Sequence, residues 1–68
     1  MNDRLGNRLN ALRNEHGLTQ AALAAEVGVS RKTINTVENG VFIPSTLLAL
    51  KIARALGTPV EEIFFLQD

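Results

Sequence analysis

The chain has no cysteine among its 68 residues, which excludes disulfides, thiolate metal sites and cysteine nucleophiles together. Its single histidine, His16, is too little for a histidine-based zinc site, which takes three or four protein ligands. A surplus of charge is missing too. Seven Lys and Arg balance seven Asp and Glu, so no global field points to nucleic acid or membrane. No apolar run approaches the ~18 residues of a membrane span, and the opening Met-Asn-Asp-Arg does not read as a signal peptide. There is no Ser/His/Asp set, no phosphate-cradling glycine loop and no pair of carboxylates backed by a pocket. A bundle this small offers little volume for a ligand site of several hundred Å³. These absences predict a soluble, cytoplasmic protein that is no enzyme and has no cofactor, no metal and no small-molecule ligand.

What is present is ordinary globular composition, 46% hydrophobic and 21% charged. The length fits one small domain, residues 1–68, without linker, repeat or low-complexity tract. Such a domain buries little of its own surface and is marginal alone. Without disulfides or metal, well-packed helices and self-association remain as sources of stability.

Glycines punctuate the chain. Gly17, Gly28, Gly40 and Gly57 each follow a stretch with helical apolar spacing, and a Ser or Thr follows soon after most of them. Glycine suits the left-handed position past a helix end, and hydroxyl side chains cap a helix start. The first segment carries the stripe Leu5, Leu9, Leu12 and ends at Glu15–His16. Gly6 obscures its start, and Asn7 is a candidate cap. The second is capped by Thr19 and runs from Gln20 to Val27; the third starts at Ser30 and runs to about Asn39. A connection over 41–44 follows, with Ile43 pushed away from helical geometry by Pro44. The fourth is capped by Ser45 or Thr46 and runs to Leu56. Thr58-Pro59 then predicts a cap followed by proline at the first helical position, opening a short fifth helix from Val60 to about Phe64. The pattern predicts an all-α, compact five-helix bundle.

Residues Thr19 to Asn39 are the informative stretch. Two short helices meet at Val27-Gly28-Val29-Ser30, with Ala24 where the pair passes closest and Gly28 where the chain turns with positive φ. Leu23, Val27, Val29, Ile34 and Val37 lock the unit together. That leaves Arg31, Lys32, Asn35 and Thr36 on the outer face of the third segment, beside Ser30. The stretch Ser30–Val37 carries two positive charges and no negative one. A helix fits the major groove of B-DNA, where Arg and Lys donate to guanine, Asn pairs with adenine and a Thr methyl packs on thymine. Gln20, Ser30 and Asn39 sit at helix ends, where donors hold phosphates.

The combination Leu18-Thr19-Gln20, Leu23-Ala24, Val27-Gly28-Val29-Ser30, Thr33-Ile34 and Glu38-Asn39-Gly40 resembles the Cro/Xre-type, phage-repressor-like helix-turn-helix family. Pro44-Ser45, Leu50-Lys51-Ile52-Ala53, Ala55-Leu56-Gly57 and Glu61-Glu62-Ile63-Phe64 extend the resemblance over residues 8–65. It is nearest to short stand-alone regulators of the cytolysin-repressor type. The resemblance implies a lambda-repressor-like fold with a small antiparallel sheet, residues 1–5 against about 65–68, and a homodimer that binds double-stranded DNA. It implies base contacts by Arg31, Lys32 and Thr36 with Asn35 beside them. It also implies phosphate contacts by Gln20, Ser30 and Asn39, to which Arg13 is added. Two departures stand out. Val41-Phe42-Ile43 replaces the basic or polar residue usual after Gly40. Thr46 occupies a position where relatives carry a core leucine, which leaves the register of the fourth helix open.

Single residues have plainer readings. His16 is a cation near a helix C-terminus, Glu38 a structural partner for a nearby base or amide, and Glu61-Glu62 complement a helix N-terminus. Lys51 and Arg54 form a solvated face. The apolar surplus asks for more. Leu47, Leu48 and Leu50, followed later by Ile63, Phe65 and Leu66, exceed what one small monomer hides and predict a two-fold dimer interface. The function expected is a sequence-specific regulator, most simply a repressor on an inverted-repeat operator. The alternatives are an antitoxin or restriction–modification controller, and a helical protein-interaction module that leaves DNA alone.

Overall fold

The computed structural model describes residues 3–67. Strand β1 (Arg4–Asn7) leads into helix α1 (Leu9–Glu15), followed by α2 (Gln20–Val27), α3 (Arg31–Glu38), α4 (Thr46–Leu56), α5 (Val60–Ile63) and strand β2 (Phe64–Gln67). The two strands pair antiparallel, Arg4 opposite Gln67, Leu5 opposite Leu66, Gly6 opposite Phe65 and Asn7 opposite Phe64. The implied sheet is therefore present, but its first strand runs from Arg4 to Asn7; the Met1, Asn2 and Asp68 ends of the expected ribbon lie outside the described residues. Gly6 belongs to this strand because Phe65 lies over it. A Cβ at Gly6 would collide with the Phe65 ring.

Hydroxyl caps start three helices as the sequence predicts. Thr19 accepts from the Ala22 N–H at 3.0 Å, Ser30 from Thr33 at 3.2 Å and Ser45 from Leu48 at 3.1 Å. Two expected caps differ. Asn7 ends β1, and its side chain works in both directions: Oδ1 accepts from the Leu9 N–H and Nδ2 donates to the Val37 carbonyl, both at 3.0 Å. That single amide ties the sheet, the start of α1 and α3 together. Thr58 does not cap α5, because its hydroxyl donates to the Leu56 carbonyl at 3.0 Å. Pro59 stands at the cap position with no side-chain bond.

The core joins Leu9 and Leu12 of α1, Leu23, Ala24 and Val27 of α2, and Ile34 and Val37 of α3. Leu48, Ile52 and Leu56 of α4 complete it with Ile63 and Phe64. The register of α4 is thereby decided. Its inward stripe is Leu48, Ile52, Leu56, and Thr46 is exposed in the first turn. This corrects part of the expected partner surface: Leu48 and Ile63 are 7% and 0% exposed and hold the monomer together. Leu47, Leu50 and Leu66 are exposed, as are Val41 and Ile43 of the connection. Leu50, Ile43, Val60, Phe64 and Leu5 line one groove of about 320 Å³. Phe65 points to the other side of the ribbon, against Gly6. No described helix is long and apolar enough to cross a membrane.

Candidate nucleic-acid interface

Helices α2 and α3 are joined by Gly28-Val29-Ser30. Gly28 closes α2 at φ 76°, a conformation that costs any residue with a Cβ about 1–2 kcal/mol. The turn lets the Val29 N–H return to the Ala24 carbonyl at 3.0 Å. Ser30 then starts α3 in a new direction. Ile34 and Val37, 0% and 1% exposed, fasten the inner side of α3, so its outer side is held as a rigid surface. Arg31, Lys32 and Asn35 are exposed there and Thr36 is half-buried. The Thr36 hydroxyl faces the Lys32 and Thr33 carbonyls, both at 3.0 Å. With its one proton directed to backbone, the hydroxyl can only accept from a ligand, and the methyl remains free for apolar contact. Asn39 is exposed at the C-terminal end of α3.

Behind this face lies a polar hub on Glu38. Arg13 Nε donates to Glu38 Oε2 at 2.7 Å and its terminal nitrogens reach Glu38 Oε1 at 3.3 Å and the Leu18 carbonyl at 2.8 Å. Asn10 Nδ2 and Gln20 Nε2 donate to Oε1 at 3.0 and 3.1 Å. Three helices and the turn between the first two are thus held on one carboxylate. The side chains of Arg13 and Glu38 are 9% and 3% exposed, so the pair is shielded from water and salt. Burial pushes the Glu38 carboxyl up, but hydrogen bonds from Arg13, Asn10 and Gln20 and the charge of Arg13 outweigh it and hold the group below its ordinary 4.5. The Glu38 hydrogen bond, aided by its charge, outweighs burial and holds the Arg13 guanidinium above its ordinary value.

Comparison with known proteins places this geometry. The profile of the helix-turn-helix family matches residues 9–63. The chain belongs to the Cro/Xre-type helix-turn-helix family of DNA-binding transcriptional regulators. It is 47% identical over 62 residues to an uncharacterized HTH-type transcriptional regulator of Methanocaldococcus jannaschii, covering 91% of this chain and 94% of the relative. A second uncharacterized regulator, from Methanothermobacter thermautotrophicus, is 53% identical over 57 residues, covering 82% and 83%. Among solved structures, the restriction-modification controller protein from Aeromonas hydrophila superposes with a TM-score of 0.77 at 38% identity, over 81% of this chain and 83% of that one.

Within this helix-turn-helix regulator the predicted site residues divide. Arg31, Lys32, Asn35, Thr36, Ser30 and Asn39 share α3 and its two ends. Arg13 does not join them, which corrects the phosphate contact expected of it: its guanidinium is inside, committed to Glu38 and Leu18. Gln20 is half-buried, and its Nε2 already donates to Asn35 Oδ1 at 3.2 Å and to Glu38. Both amide hydrogens are committed, one to the exposed Asn35 and one to the buried Glu38 carboxylate, and the backbone N–H at the start of α2 remains to face an anion. Asn7 reads in the sequence only as a candidate cap, and Asn10 has no assigned role there. Asn10 had one signal, since with Arg13 and Asn14 it forms a polar i, i+3, i+4 stripe beside Leu9 and Leu12. At the α1 end His16 Nδ1 lies 2.9 Å from the Leu12 carbonyl; since a carbonyl only accepts, Nδ1 bears the proton in this contact.

Proposed function

We propose that this chain is a homodimeric, sequence-specific transcriptional repressor that occludes a promoter by binding an inverted-repeat operator. It acts in the cytoplasm through one DNA-binding domain over residues 1–68, with no catalytic chemistry, cofactor or small-molecule ligand. The observation that carries this reading is the division of α3, with Ile34 and Val37 fully anchored and Arg31, Lys32 and Asn35 exposed on the opposite side. Arg31, Lys32, Asn35 and Thr36 read base edges in the major groove, while Ser30, Asn39 and the start of α2 at Gln20 meet phosphates. The dimer forms through Leu47, Leu50 and Leu66, with Ile43 beside them, all exposed. Phe65 flanks this surface from the other side of the ribbon. Two-fold symmetry then sets half-site centres ~34 Å apart.

Titration of the native chain and Arg31→Ala against a palindromic duplex series tests the assignment. Loss of Arg31 should cost about 1–3 kcal/mol at the cognate site and relax preference at one base pair per half-site. Equal affinity of the native chain for all duplexes would overturn it. A second reading, a restriction–modification controller, is favoured by the 38% identity to the Aeromonas hydrophila controller. A restriction or methylation gene beside this one, with the operator upstream of the pair, would select it.

A further inference from the structure

Hydrogen-bond polarity runs from the buried carboxylate to the surface of α3. An ionised carboxylate only accepts, so Gln20 must turn its Nε2 toward Glu38 Oε1, 3.1 Å away. The same Nε2 lies 3.2 Å from the Asn35 side chain. The Asn35 atom facing it must therefore be the acceptor, Oδ1. Asn39 Nδ2 approaches that oxygen as well, at 3.4 Å. Both lone pairs of Oδ1 are occupied, and Asn35 is exposed with Nδ2 bonded to none of the described residues.

Base edges differ in what such a group can use. Adenine recognition by an asparagine needs both halves of the amide, Oδ1 accepting from N6–H and Nδ2 donating to N7; guanine offers two acceptors, N7 and O6, thymine one, and cytosine a donor. Resting on the operator-binding reading above, we propose that Asn35 is a donor-only reader that selects guanine, and that Gln20, oriented by Glu38, is the positioning residue that denies it adenine. This replaces the adenine pairing that residue type alone predicts.

Selection from randomised duplexes, run with the native chain, Asn35→Ala and Gln20→Ala, tests it. The native chain should enrich a motif in which one guanine per half-site loses its preference in Asn35→Ala while the other positions persist. In Gln20→Ala one lone pair of Oδ1 is released, and the adenine-to-guanine ratio at that same position should rise roughly tenfold or more. Both changes lie at exposed or half-buried positions. A Gln20→Ala chain that binds every sequence more weakly and leaves the ratio unmoved overturns the positioning role. Adenine at the Asn35-dependent pair in the native selection, or no position dependent on Asn35, overturns the inference and leaves operator binding standing. No enriched motif with the native chain overturns both.

Discussion

Glu38 is the residue on which most depends, because one carboxylate receives donors from α1 and α2 while sitting on α3. A buried ion pair adds little net stability, yet removing one partner typically costs about 3–5 kcal/mol by stranding the other charge. Its pH dependence has a definite sign. Glu38 titrates below its ordinary 4.5 in the folded chain and near that value when unfolded. Its stabilisation is therefore complete above the unfolded value and is lost as pH falls through the folded one. Urea unfolding of the native chain should weaken on acidification below pH 4.5. Glu38→Gln should be less stable at neutral pH, and the two curves should converge in acid. Parallel curves would show that another carboxylate governs the acid limb.

At the scale of the element, the unit α2–turn–α3 works because α2 is slender. Ala24 is 3% exposed within the core that holds Ile34 and Val37, and the Val29 N–H closes the turn on its carbonyl. Ala24→Leu would place extra methylenes between the helices, at a cost of about 1–3 kcal/mol. It should also lower operator affinity more than stability accounts for, since α3 would be re-aimed while its own side chains stay intact. Thermal melts beside DNA titrations at a temperature where the variant is folded measure the two effects separately. Full affinity in the folded variant would mean that the brace does not set the angle of α3.

For the whole molecule, neutrality and exposed apolar surface bear on each other. Counterion release supplies much of any protein's affinity for DNA, and here α3 brings only Arg31 and Lys32, within a net charge of zero. A dimer doubles that patch. The exposed side chains Ile43, Leu47, Leu50 and Leu66 are the apolar surface available to build one. Leu50→Glu should give a monomer by light scattering, with specific binding lost and the unfolding midpoint of the monomer little changed. A variant that stays dimeric would move the interface elsewhere, to the Phe65 side of the ribbon or to Val41.

Sequence by itself determined the helices, the turn and the outer face of α3. Each follows from short-range rules: hydroxyl caps at Thr19, Ser30 and Ser45, a left-handed glycine at position 28, and apolar spacing that puts Ile34 and Val37 on one side. Family resemblance added the ribbon, to within a few residues. Tertiary structure alone decided which polar and apolar side chains were already spoken for. Arg13 and Glu38 are 25 residues apart, and no local pattern says that an arginine beside a leucine stripe turns inward to a carboxylate. Leu47 and Leu48 are neighbours of the same type, and only the packing of α4 against the core buries one and exposes the other. The same holds for the direction of the Asn35 amide. An amide has two unlike ends, and which end reaches the surface is set by donors arriving from other parts of the chain.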